Sequence, residues 1–210
     1  MRKVWKNNRR YRRQSVALET EASVSRREVL GYAAVGAAGA AAAAVASQGA
    51  NATPAYLRGL GDFRRLRLSN SRTGERLNII YFADGEYIAE AIDEVSYIMR
   101  DWRRNEIMPI DNRTLDFAAA MYKRLDTEEP FQLISGYRSP ETNNMLRSRG
   151  SGVAKNSFHT RGMALDVSLQ HRSVAHMYRA AVSCKAGGVG RYTRNHFVHI
   201  DCGPTRTWGR

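Results

Sequence analysis

Between positions 87 and 104 apolar residues return in steps of three and four: Ile88, Ala91, Ile92, Val95, Ile98, Met99 and Trp102. Glu90, Asp93, Glu94, Arg100 and Arg103 fill the opposite face. This period predicts an amphipathic helix whose Met and aromatic positions enter the core. A second helix is predicted over 111–125, capped at Asp111-Asn112-Arg113 and burying Leu115, Ala118, Ala119, Met121 and Tyr122. Shorter helices are predicted over 141–149 and 173–184. Strands are predicted over 77–82, 131–135 and 196–201, the first ended by the turn Ala83-Asp84-Gly85-Glu86. The glycine-rich run Ala186-Gly187-Gly188-Val189-Gly190 reads as a turn, and 148–156 as a loop. Residues 53–76, rich in Arg, Gly and Ser, read as a linker or edge segment. Helices precede most strands, which predicts an α+β fold: a small antiparallel sheet flanked by helices, in a single domain over 77–210.

The first 52 residues follow none of these periods. They open with the basic stretch Lys6-Asn7-Asn8-Arg9-Arg10-Tyr11-Arg12-Arg13, which alone would suit a nucleic-acid arm. Then comes Ser25-Arg26-Arg27-Glu28-Val29-Leu30, a twin-arginine pattern, and an apolar run of Ala, Gly and Val over 31–46. That run is shorter than the roughly 20 residues that span a bilayer. Ala44-Val45-Ala46 and Ala50-Asn51-Ala52 offer small-residue cleavage points. The order of these parts predicts a cleaved signal segment over 1–52. It implies a protein exported by the twin-arginine machinery to the periplasm or cell envelope, touching the membrane only in transit.

Charge changes the picture little. Of the formal +13, nearly half comes from nine Lys/Arg against three Glu in residues 1–52. The remaining excess suits an anionic polymer, or a plain solvated face, and predicts no nucleic-acid partner. Cys184 and Cys202 could form a disulfide, remain free thiols, or act as soft metal ligands, favoured in that order.

The chemistry concentrates late. His159 and Asp166 lie seven residues apart with Gly162 between them, and His199 follows in the final predicted strand. Two imidazoles and a carboxylate make a three-ligand zinc site with a fourth position open to water. Residues seven apart on a strand point opposite ways, so His159 and Asp166 meet only if the chain bends; glycine makes a bend cheap at 162. In the last strand His199 and Asp201 share one face while Val198 and Ile200 share the other. Asp201 could then be a general base, a residue behind the metal, or a ligand. His196 could reach the mouth of the site, and Arg138, after a tight turn, could bind a substrate carboxylate or an oxyanion.

Ser157-x-His159-x-x-Gly162-x-Ala164-x-Asp166 resembles the signature of the zinc D-alanyl-D-alanine metallopeptidases. Ser135-Gly136-Tyr137-Arg138-Ser139 resembles their substrate-binding segment. Gly187-Gly188-Val189-Gly190-x-Tyr192 and Phe197-Val198-His199-Ile200-Asp201-x-Gly203-Pro204-x-Arg206-x-Trp208 resemble the YcbK-like murein endopeptidase branch. The resemblance covers about residues 75–210. It implies the hedgehog/DD-peptidase fold, Zn2+ on His159, Asp166 and His199, and Arg138 on the substrate side. The expected reaction is hydrolysis of peptidoglycan stem-peptide bonds, as a murein endopeptidase that cleaves crosslinks. A murein D,D- or L,D-carboxypeptidase and a non-catalytic peptidoglycan-binding module of the same fold remain alternatives. Many relatives carry a catalytic Glu where this chain has His196, which leaves the base open between Asp201 and His196.

Overall fold

A computed structural model describes residues 53–150 and 152–209. The predicted twin-arginine segment, its apolar run and its cleavage points lie outside the described residues.

After a 3-10 turn at Ala55–Leu57, strand β1 (Phe63–Asn70) is followed by β2 (Glu75–Ala83), β3 (Glu86–Tyr87) and helix α1 (Ala89–Ile98). Then come α2 (Asn112–Leu125), β4 (Phe131–Ser135), α3 (Pro140–Ser148), a 3-10 turn at Phe158–Arg161, and β5 (Ala164–Ser168). Helix α4 (Val174–Cys184) and strands β6 (Gly188–Tyr192), β7 (Phe197–Asp201) and β8 (Arg206–Gly209) complete the fold. The class is α+β, and one eight-stranded sheet runs through it in the order β3-β2-β1-β4-β5-β7-β6-β8.

The sheet is larger than expected and mixed rather than antiparallel: β1 with β4, and β6 with β8, run parallel. The linker or edge reading of 53–76 is corrected. Strand β1 lies inside the sheet, paired with β2 from Phe63↔Ala83 to Asn70↔Glu75 and with β4 at Leu68↔Phe131. Its period-two signal is carried by Leu66, Leu68 and Asn70, all buried, and was masked by Arg64, Arg65 and Arg67. Arg64 is not a solvated charge: it pairs with Asp116 on α2 at 2.8 Å and stacks on Phe82.

Helix α1 stops at Ile98, short of the predicted 104. Asp101 accepts from the Arg103 N–H at 3.1 Å, and its backbone pairs with Glu106. A side chain that bonds nearby backbone draws the chain out of the helix. Helix α2 starts where its cap predicts: the Asp111 carboxylate accepts from the Arg113 N–H at 2.9 Å, an arrangement that contributes about 1 kcal/mol. Where a glycine-rich turn was expected there is strand β6.

The expected disulfide is absent. Cys184, buried on α4, and Cys202, after β7, are both free thiols. Cys202 lies beside Thr114, whose hydroxyl donates to it at 3.4 Å, while Cys184 donates to the Ala180 carbonyl.

The core fills one face of the sheet. Leu165 and Val167 of β5, Val198 and Ile200 of β7, and Val189 of β6 are buried in one apolar cluster with Leu115 and Met121 of α2 and Met177 of α4. Strand alternation therefore turns Asp166, His199 and Asp201 to the other face. Among the described residues no helix is long and apolar enough to cross a membrane.

Candidate metal centre

Asp166 and His199 stand directly opposite each other on the antiparallel strands β5 and β7. His159 joins them from the 3-10 turn before β5. Ser157 caps that turn, accepting from the His159 N–H, and Gly162 ends it at φ 67°, donating its N–H back to the His159 carbonyl. A side chain there would be strained in φ, and its Cβ would stand 2.5 Å from the Pro109 carbonyl oxygen. The bend needed to unite residues 159 and 166 is thus supplied at Gly162.

His159 Nε2 lies 3.2 Å from His199 Nδ1 and 3.2 Å from Asp166 Oδ2, and His199 Nδ1 lies 2.8 Å from Asp166 Oδ1. One ligand atom from each of the three residues falls within 4.8 Å of the others, and all three residues are buried. The outer ring nitrogens are tied down as well. His159 Nδ1 meets the Gly136 carbonyl at 2.7 Å, and His199 Nε2 meets Asp201 Oδ2 at 2.9 Å. Each imidazole is thereby oriented with its other nitrogen toward the centre, as in metal sites whose histidines donate their far N–H to a carboxylate or carbonyl. Two imidazole nitrogens and a carboxylate form a donor set for a divalent ion of borderline softness.

Gly136 can serve His159 because it carries no side chain: a Cβ there would fall 2.7 Å from Met99 Cβ and closer still to the Met99 carbonyl. The next residues continue the contact. The Tyr137 N–H donates to the Met99 carbonyl and the Arg138 N–H to the His159 carbonyl. The Arg138 guanidinium reaches Asn143 Oδ1 at 3.3 Å and Ser135 Oγ at 3.4 Å, and it lies 3.7 Å from Asp166. Its Nε is buried with no hydrogen-bond partner among the described residues, a donor left over beside the cluster.

Asp201 is not at the centre but behind it. It has no exposed surface, and besides His199 it takes a two-pronged contact from Arg206, at 2.9 and 2.7 Å, and the Gly203 N–H at 2.9 Å. Its oxygens face the ring nitrogen directed away from Asp166, which places it poorly for the general-base role expected of it. His196 is exposed in the turn between β6 and β7, at φ 55°, and is outside the His–Asp–His cluster. Arg206 and Trp208 carried no expected role, and yet both touch the site. Trp208 lies with its ring centroid 5.1 Å from that of His199.

Burial disfavours charge on His159 and lowers its pKa, outweighing the pull of Asp166. Burial also opposes charge on Asp166, yet the two histidines hold its carboxyl well below the usual carboxylate range. His199 goes the other way: burial works against it, but hydrogen bonds to the Asp166 and Asp201 carboxylates push it up to about 9. Asp201 is buried too, but contacts from His199, Arg206 and Gly203 keep it ionised. Asp166 is thus an ionised carboxylate beside two imidazole nitrogens, a donor set able to take a cation.

The family model Peptidase_M15_2, described as "Peptidoglycan L,D-endopeptidase MepK", matches residues 59–208. The chain belongs to the Peptidase_M15_2 family. Among curated members, the peptidoglycan L,D-endopeptidase MepK of Escherichia coli (strain K12) is 45% identical over 145 residues, 69% of this chain and 80% of that one. The Shigella flexneri protein of the same name matches to the same extent. The probable MepK of Haemophilus influenzae is 34% identical over 146 residues, 69% of this chain and 78% of its own. As an M15 peptidase the chain is a hydrolase with a metal cofactor. The family match starts at residue 59, ahead of the 77 expected for the peptidase domain, and takes in β1.

Proposed function

We propose that the protein is a zinc-dependent murein endopeptidase that cleaves peptide crosslinks between peptidoglycan stem peptides, with the L,D specificity named for its relatives. The observation that carries this reading is the buried convergence of His159 Nε2, His199 Nδ1 and the Asp166 carboxylate, with both outer ring nitrogens tied. These three would hold the metal. A zinc ion supplies Lewis acidity that activates water and polarises a peptide carbonyl.

The chain's own groups do the rest. The Gly136 carbonyl and the Asp201 carboxylate hold the far N–H of His159 and of His199, so each ring keeps a lone pair for the metal. Asp201 thus contributes through His199, and His196 stands apart, so we assign neither the removal of the water proton. Arg138, its Nη2 3.7 Å from Asp166 and its Nε without a partner among the described residues, binds a substrate carboxylate or steadies the negative charge that develops on the carbonyl oxygen. The twin-arginine pattern at 25–30 and the apolar run behind it support delivery to the periplasm by the twin-arginine machinery, where peptidoglycan is at hand.

The test is digestion of purified crosslinked muropeptides by the zinc-loaded protein, read by chromatography and mass spectrometry. Crosslinked dimers should fall to monomers. A chelator or the substitution His159→Ala should stop the reaction. Loss of one terminal residue from intact dimers would identify a carboxypeptidase instead. An unchanged chromatogram with zinc bound would leave only a peptidoglycan-binding module.

A further inference from the structure

Two rows of residues cross the sheet beneath the metal centre. In one, Arg206 of β8 pairs with Gly188 of β6, and Gly188 with Asp201 of β7. In the next, Trp208 pairs with Gly190, Gly190 with His199, and His199 with Asp166. In both rows the β6 position is glycine. Neighbouring strands stand roughly 4.8 Å apart, so β8 is about 9–10 Å from β7. Side chains from β8 reach β7 only because nothing rises from β6 between them.

The space over those glycines is taken. A Cβ on Gly190 would lie 2.6 Å from the Trp208 indole, and one on Gly188 would lie 2.6 Å from Asp201 Oδ2 and closer to Arg206. Arg206 grips both oxygens of Asp201. The indole faces the His199 ring and is itself fixed by its Nε1 donating to the Tyr192 hydroxyl at 3.0 Å. An edge strand is ordinarily the least constrained part of a sheet, yet this one sends its two inward side chains to the same histidine and its carboxylate.

We propose that β8 is a clamp on His199: Arg206 and Trp208 are positioning residues that reach over Gly188 and Gly190, one fixing Asp201 on the far ring nitrogen and the other bracing the ring. This rests on the reading of His199 as a metal ligand. An imidazole free to tilt, or a carboxylate free to rotate away from it, presents the ligand nitrogen less well. Partners of this kind typically alter metal affinity by about 10–100-fold.

The experiment measures zinc affinity of the full chain by competition with a chromogenic chelator. It also records the visible spectrum of the Co2+ form, which reports ligand geometry, and unfolding of the metal-free protein. Arg206→Gln should weaken zinc binding roughly 10–100-fold and alter the Co2+ bands, with Arg206→Lys recovering part of the loss. Gly190→Ala, which removes no charge and acts by displacing the indole, should also weaken binding and alter the bands. If both variants fold and bind zinc within about twofold of the parent, well short of the 10–100-fold such partners cost, the clamp is wrong even where they lower stability. His159→Ala separates the readings. Zinc binding untouched by that change overturns the metal site itself, whereas its loss beside unaffected Arg206→Gln and Gly190→Ala overturns the clamp alone.

Discussion

Asp101 and Ser139 are joined by two hydrogen bonds: the Asp101 carboxylate accepts from the Ser139 N–H at 3.0 Å and from its hydroxyl at 2.7 Å. Ser139 in turn caps α3, accepting from the Thr142 N–H. Because Arg138 is the residue before Ser139, this buried carboxylate holds the backbone that carries the Arg138 guanidinium. Burial opposes its charge, but the bonds from Thr142, Ser139 and Arg103 win and hold its pKa below the ordinary value. A group lowered in the folded state stabilises fully above its unfolded pKa, near 4, and the contribution is lost as pH falls through the lowered value.

Asp101→Asn should therefore cost about 1–3 kcal/mol in urea unfolding at neutral pH, since an amide turns an N–H toward groups that need an acceptor. The difference from the parent should shrink as the pH is taken below about 4. A constant difference across the acid range would refute the assignment.

At the other end of the sheet, Asp116 on α2 accepts from the Tyr81 hydroxyl at 3.0 Å, from Tyr87 at 2.6 Å and from Arg64 at 2.8 Å. Burial, then the nearby Asp116 carboxylate, raises both tyrosines, Tyr87 to about 12 and Tyr81 further. Raised pKa values mean stability that is complete below about pH 10 and lost as pH climbs beyond it. Tyrosinate absorbance should show late-titrating tyrosines in the folded protein, Tyr81 and Tyr87 among them. Asp116→Ala should cost about 3–5 kcal/mol by leaving Arg64 buried without its carboxylate.

Both cysteines should titrate as thiols with no reductant added. Burial pushes Cys184 up to about 11, so it should react with a thiol reagent only after denaturant unfolds the chain. Cys202, only partly buried, should react first. Fewer than two thiols in denaturant would contradict the free state of the pair.

Zinc should raise the unfolding midpoint of the metal-free protein. At a free concentration near 100 times Kd the gain is about 2.7 kcal/mol. Asp166→Ala and His159→Ala should abolish the shift, and a chelator should reverse it in the parent. A shift that survives either substitution would place the ion elsewhere.

Much of this arrangement is local and can be read along the chain. Helices α2, α3 and α4 begin and end within a residue of their predicted ranges, and β4 occupies 131–135 as its apolar run predicts. The bend at Gly162 and the parity that sends Val198 and Ile200 to the core follow from backbone preference and strand alternation, both properties of a few consecutive residues. The motif residues His159, Asp166, His199 and Arg138 could be named for the same reason.

What the sequence alone could not decide depends on partners distant along the chain. Strand β1 hid behind its arginines because Arg64 is neutralised by Asp116, 52 residues on. The run Gly188-Val189-Gly190 looked like a turn. It is a strand whose missing side chains make room for Arg206 and Trp208, and only the pairing of β6 with β8 reveals that. Asp201 shares a face with His199 by parity alone, but whether its oxygens point into the His–Asp–His cluster or away from it depends on a guanidinium reaching across another strand. Sequence determines which residues share a face; only the tertiary pairing determines which neighbour occupies the space above them.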